Sequence, residues 1–303
     1  MTTRLDPMTA EPIDPVEPAG AAPRRKGALR RAFQSWGTRI GAAITLLVVG
    51  IAVIGPLVAP HSASDLVAFP LSGPAPGTPL GTDYLGHDVL SSVLHGGWTV
   101  VWMATAATAI GMVVGTLIGL IAGYAKGRVD SVLMWLMDLV LAFPQFVLPL
   151  MVISMLQPSL WLIVLLVALS HAPRVARLAR ATTTQVSTRE YIEASEVLGE
   201  PRWRILLQEI LPNISTPLLV EVGVRMAWSI GLIASISFLG LGVQPPDVDW
   251  GLMIQQNRGG LATQPWAVVV PVLLIALFAI GINLMSEGYS RAIARRNDSG
   301  VAA

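Results

Sequence analysis

Apolar and polar residues fall in long blocks along this chain, without the short periods of a soluble domain. Six apolar runs stand out, at 40–59, 98–124, 132–156, 159–172, 218–242 and 266–285. A helix that crosses the hydrocarbon layer needs about 20 such residues. The fourth run is short of that, reaching only ~21 Å at ~1.5 Å per residue. Its helix is therefore expected to continue past Pro173, with Arg174 and Arg177 snorkelling or standing in water. The predicted class is an all-α polytopic membrane protein with six transmembrane helices.

One polar island interrupts the apolar blocks, Arg189 to Asn213. Glu190, Glu193 and Glu196 recur at i, i+3 and i+6, while Ile192, Val197 and Leu198 take another face. That spacing predicts an amphipathic helix. Gly199 suits the position just past a helix end, where positive φ is needed. Pro201 suits the first turn of a second helix. This second helix carries Trp203, Leu206, Leu207, Ile210 and Leu211 and is expected to close at Pro212. The reading is a bent pair of short helices held out in water.

Composition agrees with a membrane protein. The 303 residues are 53% hydrophobic and 13% charged, against about a quarter charged in a soluble domain. Eighteen of the 20 Lys and Arg fall in the two tails and in the loops after the second and fourth runs. Basic loops stay in the cytoplasm, so both termini and the polar island are placed there. Residues 1–38 read as a largely disordered, acidic and Pro-rich tail turning basic from Arg24 to Arg39, a stretch suited to anionic headgroups. Residues 39–296 form the transmembrane domain, with an external loop at 60–97, a cytoplasmic loop at 173–216 and a tail at 297–303. The external loop is acidic and contains no Lys or Arg. Within the fifth run, Glu221 and Arg225 are spaced for a helical ion pair.

Candidate chemistry is sparse. The +1 net charge makes no case for nucleic-acid binding, and the absence of cysteine removes disulfides, iron–sulfur clusters and cysteine zinc sites. A phosphate loop needs Gly-Lys before Ser or Thr, and the two lysines, Lys26 and Lys126, follow Arg25 and Ala125. ATP hydrolysis by this chain is excluded on that ground. His61, His87 and His95 in the external region lack metal-ligand spacing and read as scattered surface histidines. Gly111, Gly115, Gly119 and Gly123 line one face of the second run and would let another helix approach closely. Pro144 and Pro149 would free backbone carbonyls in the third run, tolerable where a helix is buried or lines a cavity. Asp138 in that run is either a functional intramembrane acid or an interfacial, helix-packing one.

The polar island resembles the cytoplasmic loop signature of ABC importer permeases, Glu-Ala-Ala, three residues, Gly, nine residues, Ile-x-Leu-Pro. Glu193, Ala194 and Ser195 take the first three places, Gly199 follows, and Leu211-Pro212 close it. Ser195 replaces the second alanine and Glu209 stands where the general signature has isoleucine. Leu80 to Ser91, Asp138 with Phe143-Pro144, Ser237 to Pro246 with Trp250-Gly251, and Asn283 to Gly288 are similar to segments of the dipeptide, oligopeptide and nickel branch, second subunit. His87 and Ser286-Glu287 depart from that branch's usual residues. The resemblance implies a type I importer transmembrane fold and a permease subunit, not an enzyme, working by alternating access. It implies a second homologous permease, one or two ATPase subunits carrying ATP and Mg, an extracytoplasmic substrate-binding protein and a bacterial plasma-membrane location. No cofactor is expected in this chain. By resemblance, Glu190, Glu193, Ala194, Ser195, Leu198, Gly199 and Trp203 couple to the ATPase, and Asp138, Gln145 and Ser154 are candidate polar lining of a translocation path. Peptides are the expected cargo. A nickel chelate or small glycoside is the alternative, and a secondary transporter or a non-transporting membrane scaffold stands further off.

Overall fold

The computed structural model describes residues 35–156, 159–245 and 247–301, with side chains through Arg291. The expectations for the first 34 residues and the last two lie outside the described residues. The described chain is helical, with only isolated β-bridges near the second helix. Helices are numbered here in chain order. α1 is Trp36–Val58 and α2 is Val89–Ala125. α3 is Gly127–Leu141, α4 Val147–Met155, α5 Leu160–Val186 and α6 Glu190–Val197. α7 runs over Arg202–Phe238, with a π-helical segment at Ile205–Ile210. α8 is Trp250–Asn257 and α9 is Trp266–Val301.

Five of these helices, α1, α2, α5, α7 and α9, are long and apolar enough to cross a membrane. The third apolar run does not form a sixth continuous span. It breaks over residues 142–146 into α3 and α4. Pro144 has no N–H to give and its ring opposes the preceding turn, so α3 ends at Leu141. The Pro144 carbonyl then accepts from the Val147 amide at 2.9 Å and starts α4. Pro149 falls in the first turn of α4, where a missing N–H costs nothing. α5 continues through Pro173 to Val186, so the basic residues after the fourth run are helical.

α2 and α5 form the centre. Val100, Met103, Ala104 and Ala107 of α2 pack with Ile163, Val164 and Val167 of α5 in one apolar core, which α7, α8 and α9 complete. Gly111, Gly115, Gly119 and Gly123 lie against α5 along the other half of α2. An added Cβ at each would stand within 3 Å of Ala168, Val175, Ala176 or Arg180. On the other side α1 meets α9 backbone to backbone, where a Cβ on Gly41 would stand 2.6 Å from the Gly281 carbonyl oxygen.

The segment between α1 and α2 folds into a cap. Asp83 Oδ1 accepts from the amides of Leu85, Gly86 and His87, and its Oδ2 meets His87 Nδ1 at 2.9 Å. Asp88 caps α2 and accepts from the Ser91 hydroxyl at 2.6 Å. Gln264 donates to the carbonyls of Leu80 and Ser72, and Asn257 accepts from the Tyr84 amide, so the cap is tied to the chain before α9. The histidines expected to be scattered on the surface belong to this framework: His61 lies beside Asp88, and His95 Nδ1 reaches the Ser91 carbonyl. Among the described residues, no three potential ligands gather as a metal site.

Candidate functional site, the α6–α7 elbow

Arg189 stands at the N-cap of α6, and Glu190 and Glu193 lie in its first turn, where carboxylates meet the positive end of the helix dipole. It ends in a paired-bond turn. Gly199 N–H donates to the Glu196 carbonyl at 3.0 Å and Glu200 N–H to that of Ser195 at 3.1 Å. This arrangement needs a left-handed residue, and Gly199 has φ +76°. Pro201 then precedes the first helical residue of α7, one place earlier than the sequence pattern suggests.

The second half of the island is not a separate short helix. Arg202 starts a helix that runs without a stop to Phe238, and Pro212 lies inside it. The π segment at Ile205–Ile210 makes this possible. Its longer bonds, such as Leu211 N–H to the Leu206 carbonyl, shift the register ahead of the proline. Pro212 thus enters the first turn of the following α segment, where its lack of N–H is tolerated. The second half of the elbow is therefore the start of one continuous helix, 37 residues long, that is apolar enough to cross a membrane.

Three contacts hold α6 against the bundle. Ile192 is fully buried in a cluster with Leu120 of α2, Val175 and Ala179 of α5, and Ile205, Ile210 and Ile214 of α7. Tyr124 at the end of α2 donates its hydroxyl to Glu196 Oε1 at 2.6 Å. Ser195 Oγ lies 2.9 Å from Glu209 Oε1 in the π segment. The same hydroxyl is 3.0 Å from the Tyr191 carbonyl. It has one proton to share, and the charged acceptor is the stronger.

Of Ile192, Val197 and Leu198, grouped by spacing as one face of α6, only Ile192 is buried. Val197 and Leu198 are 87% and 82% exposed, and Trp203 is 61% exposed. They flank the Gly199 turn on its outer side, because the turn reverses the chain before either can fold back on the bundle. Glu190, Glu193 and Ala194 are exposed too. The result is an apolar knuckle with acidic neighbours, at the end of a stiff helix.

The candidate path residues are not brought together. Asp138 on α3 pairs with Arg177 of α5 at 2.5 Å, and both side chains are 55% exposed. One turn away, Arg180 binds Asp130 with two hydrogen bonds of 2.5 Å. Gln145 sits in the α3–α4 break beside a cavity of about 170 Å³ shared with Ser170 and Arg174. Ser154 turns onto its own helix and donates to the Met151 carbonyl. The Glu221–Arg225 pair of α7 is present at 2.6 Å and nearly buried.

Two features had no sequence signal. Inside the bundle, His171 Nε2 of α5 and Thr108 Oγ1 of α2 both lie 2.9 Å from Ser229 Oγ of α7. Two hydroxyls and an imidazole on three distant segments cannot be linked from spacing. Outside the spans, Asp249 caps α8 and accepts from Ser237 while almost wholly buried. Burial holds its carboxyl above the usual range, opposed by hydrogen bonds from Ser237, Leu252 and Gly251.

Residues 115–299 match the family described as the inner membrane component of binding-protein-dependent transport systems. The chain is 34% identical over 276 residues to the di/tripeptide transport system permease protein DppC of Pseudomonas aeruginosa, covering 88% of this chain and 91% of that one. It is 33% identical to the dipeptide transport system permease protein DppC of Haemophilus influenzae, over 86% of this chain and 90% of the relative. It is also 33% identical to the glutathione transport system permease protein GsiD of Pectobacterium atrosepticum, over 82% and 83%. In fold it is similar to a chain of the methionine ABC transporter MetNI, with a TM-score of 0.50 at 17% identity over 65% of this chain and 96% of that one. An all-helical bundle with five spanning helices and one broken run, a glycine elbow fused to a membrane helix and these likenesses agree: the chain belongs to the inner membrane components of binding-protein-dependent ABC transport systems, as a multi-pass permease subunit.

Proposed function

We propose that this permease imports di- or oligopeptides by alternating access, driven by separate ATPase subunits that dock on the α6–α7 elbow. The observation that carries the coupling is the geometry of Glu190 to Trp203. An exposed apolar knuckle, Val197, Leu198 and Trp203, is fixed by the Gly199 turn to a helix that continues through the membrane. A lever needs a surface to push on, a joint that does not fold and a rigid arm. All three are present in that one stretch. ATP and Mg belong to the partner, since the chain has no phosphate loop and is not itself the enzyme. The peptide cargo rests on the relatives, whose names specify dipeptides, di/tripeptides and glutathione.

The assembly proposed has a second homologous permease, one or two ATPase subunits and an extracytoplasmic binding protein, in the bacterial plasma membrane. With α3 and α4 taken together as one broken crossing, six crossings put the elbow and both termini on the cytoplasmic side, as the Lys and Arg partition supports. The folded cap of 59–88 then faces outward, toward the binding protein. Asp138, Gln145 and Ser154 remain candidates for the path, with Asp138 and Gln145 the better placed because each meets a partner or a cavity on α5.

Leu198→Asp tests the coupling. It puts a charge in the middle of the knuckle without touching the turn. Co-purification of the ATPase subunits with the variant is expected to fall steeply, and Glu193→Lys is expected to stop uptake. Full uptake by both variants in an assembled transporter would refute the docking role. Uptake of a radiolabelled dipeptide by cells dependent on this transporter tests the cargo.

A further inference from the structure

The two places where the cytoplasmic loop departs from the general signature, Ser195 and Glu209, touch each other. They are 14 residues apart, one on α6 and one in the π segment of α7, and their side chains meet at 2.9 Å. We propose that this hydrogen bond is a clasp that sets the angle between α6 and α7, so that a push on the knuckle turns the membrane helix and does not fold the elbow. The inference rests on the docking reading above and deepens it.

The turn at Gly199 fixes the backbone, but a Cβ placed on Gly199 would meet nothing within 4 Å, so nothing packs against the glycine itself. Its stiffness must come from contacts on either side. Ile192 anchors the start of α6 and Tyr124 ties Glu196 to α2. Only the Ser195–Glu209 contact joins the end of α6 directly to α7 by side chains among the described hydrogen bonds. The carboxylate is also placed at a cost. Glu209 Oε2 is buried with no partner, which a carboxylate bears only where its other oxygen is well bound. The Ser195 hydroxyl faces inward, so Ser195 acts through Glu209 and is a positioning residue, not a docking one.

An alanine and an isoleucine at these positions, as in the general signature, would make an apolar version of the same contact. That gives a rescue test. Ser195→Ala, Glu209→Ile and the double variant are compared in the assembled transporter in proteoliposomes, reading ATP hydrolysis with and without binding protein. The ratio of stimulated to basal hydrolysis is expected to fall about threefold to tenfold in each single variant, because Ser195→Ala leaves the carboxylate unpaired and Glu209→Ile breaks the link, the Ser195 hydroxyl then turning to the Tyr191 carbonyl of its own helix. It returns to near the wild-type value in the double variant. A change that only lowered the amount of folded protein would leave this ratio where it was.

The chain has no cysteine, so spin labels at Val197→Cys and Leu219→Cys report the elbow angle of the full chain in nanodiscs. Both positions are exposed. The distance distribution is expected to be narrow, to broaden in the Ser195→Ala background, and to narrow again in the double variant. Unchanged ratios and distances in the single variants would overturn the clasp, as would a double variant no better than the worse single. If Leu198→Asp shows that ATPase subunits do not dock here, the label distances still decide the clasp, since they need no ATPase.

Discussion

Replacing Gly119 with alanine puts one methyl group where α2 and α5 touch. The new Cβ would stand 2.4 Å from the Ala176 carbonyl oxygen, 2.5 Å from Ala179 Cβ and 2.8 Å from the Arg180 amide nitrogen. Ordinary van der Waals contact begins near 3.4 Å, so the helices must part by about 1 Å, and a gap of that size forfeits roughly a quarter to half of each dispersion well it opens. Two of the three obstructing atoms are backbone, which cannot rotate away as a side chain can. Overpacking of this kind costs about 1–3 kcal/mol. Alanine returns up to about 1 kcal/mol of helix propensity, so with the full return the net loss is up to about 2 kcal/mol. The comparison is Gly50→Ala and Gly231→Ala, also in membrane helices, where an added Cβ meets nothing within 4 Å. Those variants keep the propensity gain without the clash. Thermal unfolding of the purified chain in lipid nanodiscs is expected to place Gly119→Ala below the parent protein and both controls at or above it. If Gly119→Ala melts with the controls, the close α2–α5 approach is wrong.

Other substitutions separate roles that look alike in the sequence. Gly199→Ala forces a side chain into left-handed backbone at a cost of about 1–2 kcal/mol. It is expected to broaden the elbow-angle distribution between labels at 197 and 219, with Gly199→Asn milder. Asp138 and Arg177 are both more than half exposed, and where water reaches such a pair it is worth about 0–1 kcal/mol. Asp138→Asn should therefore leave the melting temperature nearly unchanged, and a strong loss of uptake without a loss of stability would place it on the path. Asp249 is held above the usual carboxylate range mainly by burial. A folded pKa above the unfolded one gives stability that is complete below the unfolded value and lost as pH rises through the folded one. Asp249→Asn keeps the cap on Leu252, so its stability relative to the parent is expected to improve as pH rises from about 4 toward neutrality, as read by melting temperature across that range.

The helix class, the continuation of α5 past Pro173, the positive φ at Gly199 and the Glu221–Arg225 pair were legible because each depends on neighbours within about one turn of helix or on bulk hydropathy. The glycine row of α2 could be read as a smooth face, since spacing alone sets a face, but not as the face toward α5. What failed was local too, but decided by competition. The third run was long enough to span, yet Pro144 stops α3 at Leu141. Pro212 was expected to close a helix, yet a π segment carries the chain through it. Hydropathy cannot see a change of hydrogen-bond register.

The sequence by itself determined that the chain forms long apolar helices fit to enter a membrane, where along the chain its Lys and Arg gather, and that the polar island bends at a glycine. Those are sums over residues or rules of a single backbone turn. Only the tertiary structure decided that the island's second half is the start of α7, that Val197 and Leu198 face outward while Ile192 plugs the bundle, and that Ser195 meets Glu209. The reason is that side-chain partners 14 to more than 70 residues apart, such as Ser195 with Glu209 and Tyr124 with Glu196, are fixed by how the helices pack. No periodicity along the chain encodes that packing.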